Sequence, residues 1–211
     1  RLMKIKDYVN AKDCFPQISI SGGVNYFLWN REYNGNCIVE NVHDGKLSVS
    51  TRPTNEFTFF VRYNDAVSIL HKILMNNNIP FNSIDSIISP LMPFGLSTNY
   101  RGRQNRSIED SLSLYASNGV SFIKPSEISK GLDYIDKYKV MMSKMSAEHA
   151  GEPDKSGMFG IFTKTMKVLI PKEVCTHSYF LIGKYDTKIE ADNTLSYLKT
   201  KLVRFIVMTT L

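Results

Sequence analysis

The chain has 211 residues, 43% of them hydrophobic and 22% charged, enough for one packed domain or for one domain with part of another. A net charge of +6 and a pI near 9.1 lean towards a polyanionic partner such as nucleic acid. No apolar run nears the roughly 20 residues that span a bilayer, no basic-then-apolar leader is seen, and Cys14, Cys37 and Cys175 form no C-x-x-C pair; a spanning helix, a structural zinc site and a disulfide framework are excluded, and a cytoplasmic protein with reduced thiols is expected.

In chain order, residues 1–50 read as strand-rich. Residues 2–9 form a short mixed segment, and 18–20 a short strand before a Gly22-Gly23 bend. The aromatic run 24–29 is a strand, Asn34-Gly35 a type I′ hairpin turn, and 37–42 its return strand. Asp44-Gly45 gives a second tight turn into a strand at 46–50. Residues 57–62 are a further β-type run. Asn64 then caps a helix carrying Ala66, Ile69, Leu70, Ile73 and Leu74 at helical spacing, closed by Asn76-Asn77-Asn78.

A short helix at 84–88 ends at Pro90. Residues 92–107, broken by Pro93, Gly95 and Gly102, read as a long polar loop. Tyr115, Val120 and Phe122 fall on strands, 131–138 on a turn or helical piece, and 140–145 on a strand. Residues 146–157 are the most loop-like stretch. Strands follow at 161–170 and 179–182. The last helix opens with a Thr187/Glu190 capping box and carries an apolar stripe of Ala191, Leu195, Leu198 and Leu202. The sum is an α+β fold: a mixed, mainly antiparallel sheet with a few flanking helices.

Catalytic signatures are sparse. Gly22-Gly23 lacks the following helix and the glycine spacing of a nucleotide cradle, so it reads as a strand-entry bend. No Asn/Asp-Pro-Pro-aromatic tetrapeptide and no Gly-x-Ser-x-Gly elbow occurs. His43, His71, His149 and His177 share no metal-ligand spacing. Pro153-Asp154 with Asp186-Thr187-Lys188 mimics a magnesium-nuclease pattern, against which stands a structural role for Asp186 and Thr187 at the helix start. Catalytic, cofactor-binding and metal-binding residues are therefore assigned to none.

Arg101, Arg103, Gln104, Asn105 and Arg106 carry the strongest binding signal. Arginine forks onto guanine edges or phosphates, and asparagine or glutamine onto adenine. The alternative is a solvated loop without specific contacts. The 146–157 loop carries Lys144 and Lys155 at its flanks; contact with a phosphate backbone is one reading, and a disordered, idle loop is the alternative.

The run Phe15-Pro16, then Ser21-Gly22-Gly23-Val24-Asn25-Tyr26-Phe27-Leu28-Trp29-Asn30-Arg31, resembles a segment late in the catalytic domain of adenine-specific DNA methyltransferases of type II restriction–modification systems. Pro93-Phe94-Gly95-Leu96, Tyr138-Lys139-Val140, Glu190-Ala191, 196–201 and Val203-Arg204-Phe205 resemble later motifs of that family in order. The resemblance implies that 1–50 is the strand-rich tail of the catalytic domain, its aromatics part of a larger sheet. It implies that 51–211 is the target-recognition region. The family's S-adenosylmethionine motif and catalytic tetrapeptide are missing here, so the chain is expected to be an inactive piece of a longer polypeptide. The complete enzyme would flip an adenine out of duplex DNA and methylate its amine. Double-stranded DNA and the upstream catalytic domain are the expected partners. A magnesium-dependent nuclease domain and a protein-interaction module, docking through the stripe of the last helix, are the competing readings.

Overall fold

The computed structural model describes residues 1–18, 20, 22–74, 84–109, 111–144, 162 and 165–209. Its elements are β1 (Leu2–Tyr8), β2 (Val24–Trp29), β3 (Cys37–His43), β4 (Lys46–Arg52), α1 (Asn64–Leu74), β5 (Leu112–Ala116), β6 (Gly119–Ile123), α2 (Leu132–Ile135), β7 (Tyr138–Ser143), β8 (Lys167–Leu169), β9 (Glu173–Cys175), β10 (Tyr179–Tyr185), α3 (Lys188–Leu198) and α4 (Lys201–Thr209). The fold class is α+β, with antiparallel pairs dominating three sheets. The chain divides into two compact units: Arg1–Phe81 with Ser146–Ile161 and Arg204–Leu211, and Asn82–Met145 with Phe162–Val203. Among the described residues no helix is long and apolar enough to cross a membrane.

The first unit holds a four-stranded sheet in the order β2-β1-β3-β4. The segment 2–9, read from sequence only as mixed, is a central strand, antiparallel to β2 and parallel to β3. This overturns the Asn34-Gly35 hairpin. β2 and β3 are not neighbours; β1 lies between them, and residues 30–36 carry the chain across. Tyr33 Oη there donates to the Asn36 carbonyl at 2.6 Å, and Arg1 Nη1 donates to Asn34. The local turn preference loses to β1, whose Ile5 and Asp7 face inward with Val39 and Asn41 of β3. Asp44-Gly45 does form the expected two-residue turn, with φ of 51° and 71°, and pairs His43 with Lys46.

Residues 57–62 form no strand. Two arginines pin this segment instead of a ladder: Arg52 Nη2 donates to the Val61 carbonyl at 2.5 Å, and Arg62 grips Asp7. Val61 thereby packs with Ala66 and Leu70 of α1, against Phe57, Phe59, Tyr63, Val67, Phe205 and Ile206. Asn64 does not cap α1. Its amide donates to the Val39 and Ser48 carbonyls at 2.9 and 3.2 Å and accepts from Arg52, tying the helix start to β3 and β4. The 18–20 strand does not form at its described ends. Gly22 and Gly23 make the expected bend, at φ +83° and +77°.

One face of this sheet is covered and the other is open. Ile5, Cys37 and Val39 are buried. Opposite them, Tyr26, Leu28, Ile38, Leu47 and Val49 are exposed around an ion-paired row of Lys4, Glu40 and Lys6. β2 is an edge strand, and Tyr26, Phe27, Leu28 and Trp29 are each more than half exposed, so in this chain they are not core.

The second unit has two three-stranded sheets, β10-β7-β8 and β6-β5-β9. Both contribute to one core: Leu112, Leu114, Ile123 and Val174 from one, Met141, Leu169 and Leu181 from the other, with Phe94, Leu96, Ile128 and Ile135. The strand expected over 161–170 is confined, as far as described, to Lys167–Leu169. The 3-10 turn Ile84–Ile87 and helix α2 stand where expected. The capping box is present: Glu190 N donates to Thr187 Oγ1 at 3.3 Å, and Thr187 N to Glu190 Oε2 at 3.1 Å. The stripe ends sooner than expected. Ala191 and Leu198 are buried, but α3 stops at Leu198, Lys199 and Thr200 turn the chain, and Leu202 is exposed on α4. The Asn76-Asn77-Asn78 stop and the 146–157 loop lie outside the described residues.

Candidate nucleic-acid interface

The arginine-bearing loop is anchored before it becomes polar. Phe94 and Leu96 are sunk in the core of the second unit. Gly95 between them sits at φ +78°, where a Cβ would fall 2.0 Å from Ser129 Oγ, so the sharp turn requires glycine. Farther on, Arg103 exchanges two main-chain bonds with Phe122 of edge strand β6, at 2.8 and 2.9 Å. The close approach at Gly102, where a Cβ would meet the Phe122 carbonyl at 2.6 Å, permits this stitch. The loop is thus held at both its start and its middle, and its polar side chains are displayed from a fixed backbone.

The five predicted loop residues take four different roles. Arg103 is a strut: its Nη2 bonds Glu127 Oε1 at 2.5 Å, and the same carboxylate accepts from Lys124 N at 3.0 Å and from Tyr100 Oη. Arg106 lies over the Phe122 ring at 5.6 Å and donates to the Ser111 carbonyl at 3.4 Å. Gln104 and Asn105 sit exposed at the bend between them. Among the described residues Arg101 bonds neutral groups: the Thr98 and Tyr100 carbonyls, both at 2.8 Å, and Ser117 Oγ at 3.5 Å. Its charge has no carboxylate partner among the described residues.

Lys144, at the end of β7, joins the same neighbourhood through a residue the sequence reading set aside. Its ammonium donates to His177 Nε2 at 2.5 Å, and His177 Nδ1 lies 3.3 Å from Thr98 Oγ1. The main chain fixes the arrangement, with His177 N on the Leu96 carbonyl at 2.8 Å and Lys144 N on the Ser178 carbonyl at 3.2 Å. Lys144 also has no carboxylate partner among the described residues. One hydrogen-bonded path, Arg101–Thr98–His177–Lys144, therefore links two cations that lack a carboxylate partner among the described residues, beside Ser117 of the β5–β6 turn. In water-exposed surroundings such a pair draws anions by several times the thermal energy at low salt. His177 lies 79 residues from Thr98 and 33 from Lys144; only the fold joins them. Lys155 lies outside the described residues.

Two other reactive side chains in this unit, Lys139 and Cys175, are sequestered. Lys139 is fully buried, its ammonium held by the Ile135, Lys137 and Ile170 carbonyls at 3.0–3.4 Å. Burial pushes it down to about 8. Burial pushes the Cys175 thiol up to about 12, which removes it as a nucleophile. Of the nuclease-like residues, Asp186 pairs with Lys137, and Lys188 with Asp192 at 2.6 Å. Asp154 lies outside the described residues. Among the described residues no three His, Cys, Asp or Glu side chains gather as a metal site.

Part of the chain is similar to a known protein. Over 87 residues it is 28% identical to a Mycoplasma pneumoniae protein described as an uncharacterized adenine-specific methylase; the match covers 41% of this chain and 20% of that protein. The chain therefore corresponds to a fraction of that relative's length. No family model matches. No solved structure matches.

Proposed function

We propose that this chain is a DNA-recognition piece of an adenine-specific N6 DNA methyltransferase. The similarity to a protein described as an adenine-specific methylase supports a methyltransferase-related role. The observation that carries the DNA-contacting part is the pairing of Arg101 and Lys144 on one face, both without carboxylate partners among the described residues. Arg101 and Lys144 hold phosphates, Gln104 and Asn105 reach base edges, and Arg103 and Arg106 chiefly shape the loop that presents them. Lys155 is a further phosphate contact in this reading. S-adenosylmethionine and the methyl-transfer step belong to the parent's catalytic domain. The open, apolar-studded face of the β1–β4 sheet and the bare edge of β2 support docking onto that domain. The test is duplex binding by the full chain across a salt series. Affinity falls steeply with salt, and the dependence is shallower after Arg101→Ala and Lys144→Ala. Binding that ignores both salt and these substitutions refutes the reading.

A further inference from the structure

Lys144 and His177 are built into each other more closely than a solvated surface requires. Lysine is a donor only, so at 2.5 Å His177 Nε2 must accept, and the imidazole is neutral with its hydrogen on Nδ1, facing Thr98 Oγ1. The ring is fixed on both sides and by its own main-chain bond to Leu96. The described charged groups facing it are Lys144, from the end of β7, and Arg101, one residue pair beyond Thr98; no carboxylate comes within ion-pair distance of the three among the described residues. A second positive charge beside the ammonium is unfavourable in the free protein and becomes favourable once an anion sits against both nitrogens.

We propose that His177 and Lys144 form a phosphate-binding subsite in which docking of a DNA phosphate is coupled to uptake of one proton by His177. The inference rests on the DNA-contacting reading above and deepens it. On binding, a proton from solvent lands on Nε2. The Lys144–His177 hydrogen bond is exchanged for two donors, Lys144 Nζ and His177 Nε2, aimed at phosphate oxygens. Nδ1–H keeps its place on Thr98. The bound state thus holds one more proton than the free state, and affinity rises as pH falls through the imidazole range.

The experiment uses the full chain and a fluorescent duplex at fixed ionic strength, from about pH 5.5 to 8.5. The wild type gains up to about tenfold in affinity per pH unit at the steep part of the profile. His177→Gln keeps a polar side chain but loses that component, and His177→Lys binds tightly with a flatter profile. Identical pH profiles for wild type and His177→Gln overturn the subsite while leaving the DNA-contacting reading intact. Absence of salt-sensitive duplex binding at every pH overturns both.

Discussion

Asp7 is 3% exposed, yet it is a carboxylate in the middle of a sheet. It is tolerated because it accepts three hydrogen bonds: from Arg62 Nε at 2.7 Å, from Arg62 Nη2 at 3.0 Å, and from Asn41 Nδ2 at 3.0 Å. The same guanidinium reaches the carbonyls of Tyr8 at 3.1 Å and Gly22 at 2.8 Å, so one ion pair ties β1, the glycine bend and the segment before α1. Asp7→Ala strands the arginine charge. Removing one partner of a buried pair costs about 3–5 kcal/mol. Arg62 keeps 19% of its side chain exposed and retains two carbonyls, which places the expectation at the lower end, about 3 kcal/mol. The double change Asp7→Ala/Arg62→Ala costs less than the sum of the single changes, by roughly 1.5–3 kcal/mol, because the second removal no longer breaks a pair. The assay is urea unfolding of the full chain followed by Trp29, the single tryptophan, which lies on β2 of the same unit. A loss under about 1 kcal/mol for Asp7→Ala, or strict additivity in the cycle, refutes the view that this pair organises the unit.

Gly23→Ala should destabilise the same unit by more than about 2 kcal/mol, since φ is +77° and a Cβ would fall 2.4 Å from the Tyr8 carbonyl; Gly22→Ala, at φ +83° but in open space, should cost about 1 kcal/mol, and equal costs in Trp29-monitored unfolding would contradict the packing argument. Lys139 sits at about 8 in the folded chain against an ordinary 10.5, so between those values the unfolded chain binds more protons and stability rises with pH, by roughly 3 kcal/mol across the window. The difference between wild type and Lys139→Met, followed by circular dichroism, should show that slope above pH 8 and flatten below it; a pH-independent difference contradicts it.

What the sequence made legible were elements whose cause is local. The Asp44-Gly45 turn needs two residues at positive φ, and the Thr187/Glu190 box needs a hydroxyl three residues before a carboxylate; both are in place. Failures came where distant partners decide. Asn34-Gly35 has the same turn chemistry as Asp44-Gly45, but β1 pairs with both β2 and β3 and separates the strands the turn would have joined. Residues 57–62 have strand composition, but their partners come from distant side chains: Arg52 of β4 takes the Val61 carbonyl, and the segment's own Arg62 pairs with Asp7 of β1. At the candidate interface the arginine cluster was visible as composition. Its division of labour was not, because Glu127, which makes Arg103 a strut, lies 24 residues away. His177 carried no signal at all: a lone histidine in a turn acquires meaning only when the fold sets it between Thr98 and Lys144.

The most direct test of the DNA-contacting face is the salt dependence of duplex affinity in two matched double variants. Each phosphate contact contributes a slope of about 0.9 in log affinity against log salt. Arg101→Ala/Lys144→Ala should therefore lower the slope by about 1.8. Lys172→Ala/Lys188→Ala removes the same charge from lysines already paired with Asp136 and Asp192, both at 2.6 Å, and should leave the slope nearly unchanged. Equal reductions in the two variants, or no reduction in the first, would contradict a contact surface at Arg101 and Lys144.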